Sequence, residues 1–104
     1  MEILNSVLKE ELERLKNLKK HYEQEISELP KGSLIKKEIN GHEYYYLNYR
    51  EEGKGIFKYI GKLNNDEVKE LKRKIEERRK LQRLNIKVKQ DIAKLKKMIH
   101  GKKK

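Results

Sequence analysis

The chain has 104 residues, of which 43% are charged and 35% hydrophobic, with no cysteine and a formal net charge of +11. This size and polarity predict one domain at most, or a domain with a helical extension, around a thin, seam-like core. The lack of cysteine excludes disulfides, a thiolate zinc site and a cysteine nucleophile.

Positive charge is concentrated at one end. Residues 1–29 carry five basic and seven acidic side chains, net −2; residues 30–61 come to +2 and residues 62–104 to +11. So one-sided a distribution points to a polyanion partner. The first twenty residues contain no long apolar run, so neither a secretory signal nor a membrane span is expected, and the expected location is the cytoplasm.

A first helix is predicted over residues 2–29. Leu8, Leu12, Leu15, Tyr22, Ile26 and Leu29 alternate four and three apart, Lys19 fills the one polar slot, and Leu4 and Leu18 widen the seam. This is the period of a helix packed on another helix. Pro30 stops it, since proline lacks an amide hydrogen and disfavours helical geometry in the residue before it. Lys31-Gly32 then makes a turn.

Next comes the one stretch with a two-residue rhythm, and it holds six of the seven aromatic residues. Strands are predicted over 33–39, 42–50 and 55–61. Asn40-Gly41 is the preferred dipeptide of a type I′ hairpin, which sets Ile39 opposite His42, Lys37 opposite Tyr44, Ile35 opposite Tyr46 and Leu34 opposite Leu47. Glu51 to Lys54 is a second, longer and less specific turn. One face then collects Leu34, Tyr45, Leu47, Tyr49, Ile56 and Ile60; the other collects Ile35, Ile39, Tyr44, Tyr46, Phe57 and Tyr59. A bulge in the second turn would exchange the third strand's faces. Both faces carry apolar content, so one is expected to cover the helices and the other to need a partner.

A second helix is predicted over 65–99. Asn64 caps it with Glu67 three residues on, and Leu63 and Val68 form the flanking staple. Its apolar series is Val68, Leu71, Ile75, Leu81, Leu84, Val88, Ile92, Leu95 and Ile99, with a slip between Ile75 and Leu81 where Arg78 takes a seam position. Gly101 is a stop, and residues 100–104 form a basic tail. The fold class is therefore α+β: two long antiparallel coiled-coil helices joined by a three-stranded antiparallel sheet, with 1–104 as a single domain. In outline this is similar to prefoldin-like chaperone subunits, which place a β-hairpin between two coiled-coil helices.

The segment LPKGSLIKKEINGHEYYYLNYREEGKGIFKYIGK, Leu29 to Lys62, resembles one that recurs in small uncharacterised bacterial and archaeal proteins and in some transposase-like proteins. The matching elements are Leu29-Pro30-Lys31-Gly32-Ser33, Tyr44-Tyr45-Tyr46 and Tyr59-Ile60-Gly61-Lys62. Its sheet and following helix are also similar to the arm-site DNA-binding domains of phage integrases. The likeness implies no assigned activity, but it adds weight to DNA and to mobile elements.

Two constellations carry candidate function. On the second helix, Lys74, Arg78, Arg79, Lys80, Arg83 and Lys87 can neutralise successive phosphates, giving strongly salt-dependent affinity; otherwise they are a solvated face partly paired at i,i+4. On the sheet, Tyr44, Tyr46, Phe57 and Tyr59 can stack bases, with Lys36, Lys37, Arg50 and Lys58 near enough to hold phosphates. A strand reader entering the major groove is another use of such a sheet. Otherwise the rings are core on one side and a dimer interface on the other.

His21, His42 and His100 are scattered and no metal site is expected. Glu51-Glu52 reads as an exposed turn, and the glycines make no phosphate-cradling loop. No catalytic constellation and no cofactor site emerge. The leading expectation is a small, non-enzymatic, dimeric nucleic-acid-binding protein, for DNA or RNA. The alternative is a coiled-coil oligomeric interaction protein: an adaptor, a scaffold, or a mobile-element or phage inhibitor of a nucleic-acid-processing complex. A prefoldin-like holdase is a third.

Overall fold

The computed structural model describes residues 2–101, with side chains from Ile3 onward; the predicted tail residues Lys102 to Lys104 lie outside the described residues. Two helices flank a three-stranded antiparallel sheet: α1 (Glu2–Ser27), β1 (Ser33–Ile39), β2 (His42–Glu51), β3 (Lys54–Gly61) and α2 (Asn65–His100). This is the α+β layout that the periodicities predict. The chain divides into two compact units. One combines α1 with the chain from Lys80 onward; the other is Leu29–Arg79, holding the sheet and the first part of α2. The division at Arg79 and Lys80 falls in the interval where the apolar seam changes phase, between Ile75 and Leu81.

In the helical unit, Leu15 of α1 is buried with Val88 and Ile92 of α2, and Leu12, Leu18, Tyr22 and Leu95 pack against them. The helices run antiparallel: Lys16 and Lys20 line one groove with Ile92 and Lys96, whereas Ile26, later in α1, lines another with Gln82 and Asn85. One seam position differs from expectation. Leu84 is 40% exposed and Asn85 is buried instead, at 5%. The strict heptad runs Leu81, Asn85, Val88, Ile92, Leu95, Ile99; a search for apolar residues steps over the asparagine to its leucine neighbour.

Helix α1 stops at Ser27, two residues before the predicted end. The Ser27 hydroxyl donates to the Gln24 carbonyl at 2.7 Å, and the Glu28 N–H to the Glu25 carbonyl at 3.1 Å, closing a last tight turn. Pro30 therefore acts through the residues ahead of it. At the other end, α2 begins with the predicted reciprocal cap: Asn64 N–H donates to Glu67 Oε1 (2.9 Å) and Glu67 N–H to Asn64 Oδ1 (2.8 Å). It ends at His100 with Gly101 at φ +71°, the left-handed residue that glycine supplies after a helix.

The β1–β2 register is the predicted one, from Ser33 opposite Asn48 to Ile39 opposite His42. The second connection is tighter than expected. Glu51 pairs with Lys54, leaving Glu52-Gly53 as a two-residue turn with φ +51° and +79°, the signs a type I′ turn needs. The only irregularity in the β2–β3 ladder comes later: Tyr46 faces Tyr59 but Tyr45 faces Gly61, so Ile60 is the extra residue of a bulge. Phe57 and Tyr59 lie ahead of that bulge and stay on the face of Tyr44 and Tyr46.

Leu47 is the buried centre of the sheet's covered face, and Leu34, opposite it in the register, lines one groove with Ile75 of α2. Arg79 closes that edge, donating from Nη2 to the Gly32 carbonyl (3.0 Å) and to the Ser33 hydroxyl (3.2 Å).

Candidate functional site

The opposite face of the sheet is open. Across its three strands, Lys37 lies opposite Tyr44, Ile35 opposite Tyr46, and Tyr46 in turn opposite Tyr59; Asn48 stands opposite Phe57 and Arg50 opposite Gly55. Phe57 and Tyr59 are each 57% exposed and Ile39 is 45% exposed. Alternation along an antiparallel strand puts every second residue on one face, and here that face is aromatic instead of polar.

The rings hold one another. Tyr59 meets Tyr46 edge-on at a centroid distance of 5.3 Å and Tyr44 at 6.3 Å, and His42 stands edge-on to Tyr44 at 6.4 Å. Two ammonium groups lie against them. Lys37 Nζ reaches from β1 to 5.4 Å from the Tyr46 ring and 5.3 Å from Phe57, and Lys62 Nζ is 5.8 Å from Tyr44. All three distances fall within the range where a cation is attracted to a ring face. Arg50 is fixed at the end of this face by donating to the Gly53 carbonyl at 2.8 Å.

Of the sheet cations predicted from sequence, Lys37 and Arg50 share the face of the four rings. Lys36 and Lys58 do not: Lys58 stands opposite Leu47, and Lys36 opposite Tyr45 with its ammonium 3.4 Å from Glu43, all on the other face. Lys62 was missed because it follows the strand, and strand alternation says nothing of where it reaches. The α2 cations divide between the units. Lys74 lines one groove with Asp66, Glu67 and Glu70, and Arg79 is engaged with Gly32, Ser33 and, at 3.9 Å, Glu76. Arg78 is half-buried in the same unit. Lys80, Arg83 and Lys87 belong to the helical unit, where Lys87 pairs with Asp91 at 3.3 Å.

The helical unit contains a second basic surface that charge counting had passed over. Lys16, Lys19 and Lys20 of the acidic α1 converge with Lys89 and Lys96 of α2 on a groove of about 600 Å³ that the buried Ile92 and the exposed Ala93 also line. Glu23 is its one acid; a hydrogen bond from Lys19, helped by the charges of Lys19 and Lys89, holds its carboxyl below the usual carboxylate range. Segment sums conceal such a groove, because it joins lysines of a net-acidic helix to lysines of a basic one, and Glu23 is the one acid of α1 among its lining residues.

Among the described residues, no three His, Asp or Glu side chains are grouped so as to hold a metal ion, and no helix is long and apolar enough to cross a membrane.

Fold and open face together define a helix–meander–helix α+β protein with an aromatic, cation-flanked sheet surface. The chain belongs to the family described as a domain of unknown function, DUF6788, whose model matches residues 8–70. The match takes in most of α1, the whole sheet and the capped start of α2. Neither a curated protein nor a solved structure matches the chain.

Proposed function

We propose that this is a small, non-enzymatic nucleic-acid-binding protein of the cytoplasm. The carrying observation is the placement of the Lys37 and Lys62 ammonium groups against the rings of Tyr46, Phe57 and Tyr44 on an open sheet face. Rings with adjacent cations suit a ligand that offers flat bases and phosphates at short intervals. The net charge of +11 and the five-lysine groove supply the attraction that every polyanion feels. The likeness of residues 29–62 to transposase-like proteins fits a DNA ligand and a mobile-element setting.

The test is affinity for short single-stranded and duplex oligonucleotides over a series of salt concentrations, with light scattering on the same samples. Lys37→Gln with Lys62→Gln is expected to weaken binding and to flatten the plot of log K against log salt by about 0.7 to 0.9 per lost phosphate contact. Unchanged affinity and slope would sink the assignment to this face.

A second reading has its own observation. In the helical unit Ile3, Leu4, Val7, Ile86 and Met98 are each more than half exposed. Such side chains suit a coiled-coil interaction protein that binds a second copy or another protein, such as an inhibitor of a nucleic-acid-processing complex. A stable oligomer indifferent to nucleic acid at low salt would favour it.

A further inference from the structure

Resting on the nucleic-acid reading above, we infer that the open sheet face takes single-stranded nucleic acid, with unpaired bases stacked on Phe57 and Tyr59. These two rings are the most exposed aromatics of the sheet and lie on β3, an edge strand. Standing two residues apart, they are separated by about 7 Å along the strand. That is about twice the 3.4 Å rise of a stacked strand in duplex DNA. Rings at this interval match bases drawn apart from each other, and bases inside a duplex present no free face to them.

The surroundings serve the same ligand. Tyr46 and Tyr44 brace Tyr59 from the side, so its ring is ordered before any base arrives. Gly55, next along the face from Phe57, has nothing within 4 Å of where a Cβ would stand, which leaves the approach to that ring open. Lys37 lies by Phe57 and Lys62 by Tyr44, supplying cations at two places on the surface for the phosphates of one strand. A reader of duplex grooves needs Arg, Lys, Asn or Gln aimed at base edges, and on this face Lys37 lies against the Tyr46 and Phe57 rings while Arg50 donates to the Gly53 carbonyl. The central positions here are Tyr44, Tyr46, Phe57, Tyr59 and Ile35, with Asn48 the lone amide among them.

The chain has six tyrosines and no tryptophan, and three of the six, Tyr44, Tyr46 and Tyr59, lie on this face, so a share of its intrinsic fluorescence reports on it. Wild-type protein is titrated with an oligothymidylate of about twelve nucleotides, within the site sizes of stacking platforms, and with a duplex of equal length. The same titrations are made on Phe57→Leu with Tyr59→Leu, which keeps apolar bulk and removes the π faces, and on Phe57→Leu alone in case the pair folds poorly. Quenching by the oligothymidylate, tighter binding of it than of duplex, and loss of about tenfold in single-strand affinity per ring removed are expected. Equal binding of both forms, unaffected by the leucine variants, would overturn the single-strand assignment and leave phosphate binding standing. No binding of either form at low salt would overturn both readings. A change in oligomeric mass without a change in affinity would assign the face to a second copy and overturn the inference.

Discussion

Gly32 occupies a position that no other residue fits. Its φ is +96°, and a Cβ there would overlap the Asn48 carbonyl oxygen and stand 2.9 Å from Tyr49 Cβ. Its own carbonyl accepts the Arg79 guanidinium, so the turn also carries the link between strand and helix. Gly32→Ala is expected to cost more than about 1 kcal/mol, since both the backbone and the neighbouring strand resist the side chain. Urea unfolding followed by circular dichroism measures this, and an unchanged midpoint would show that the strand yields. The turn itself is legible in Lys31-Gly32. The role of Arg79 is not, because a helical arginine reads as surface charge until the carbonyl it meets is known. Glu52 is similar: a glutamate at φ +51° is uncommon for a non-glycine residue, so the second hairpin hides its two-residue turn.

The helical elements follow their periods, and the informative departure is Asn85. Its Oδ1 is buried with no hydrogen-bond partner among the described residues, at a seam position between Leu81 and Val88. A buried acceptor left unpaired costs about 1 to 3 kcal/mol. Asn85→Leu is therefore expected to raise the thermal midpoint. A polar seam residue of this kind also fixes helix register at a cost in stability, so the same variant is expected to admit more than one oligomeric state in sedimentation. A lower midpoint would mean that the oxygen has a partner, such as an ordered water. The sheet elements were more legible than the seam. Asn40-Gly41 sets the first hairpin's register residue by residue, and that register alone puts Tyr44, Tyr46 and Lys37 on one face.

For the whole molecule, charge governs the response to solution conditions. A net charge of +11 repels itself within a compact state. Hydrogen bonds from Arg14, Lys19 and Arg73 hold the carboxyls of Glu11, Glu23 and Glu70 below the usual carboxylate range. Because these folded-state values are depressed, the pairs' contribution is present at neutral pH and is lost as pH falls through the carboxylate range. The pairs lie at the surface and each contributes little. Losing these three negative charges also raises the net positive charge and adds to the repulsion, so both effects have one sign. The thermal midpoint is expected to fall from neutral pH to about pH 4, with added salt recovering part of the loss at low pH. A midpoint that rises in acid would contradict this.

The element order, the first hairpin, the cap at Asn64 and the excess of charge were all written in local pattern: spacing of apolar residues, one proline, a few turn dipeptides. These act between neighbours in the chain, so they survive without knowledge of the fold. Which residues share a surface is another matter. Lys62 joined the ring face, and Lys16, Lys19 and Lys20 came together with Lys89 and Lys96, because reach across strands and between helices depends on packing. Asn85 in the seam and Ile60 in the bulge were decided the same way: the competition for a buried position, or for a ladder partner, is settled only when the other side of the contact is present.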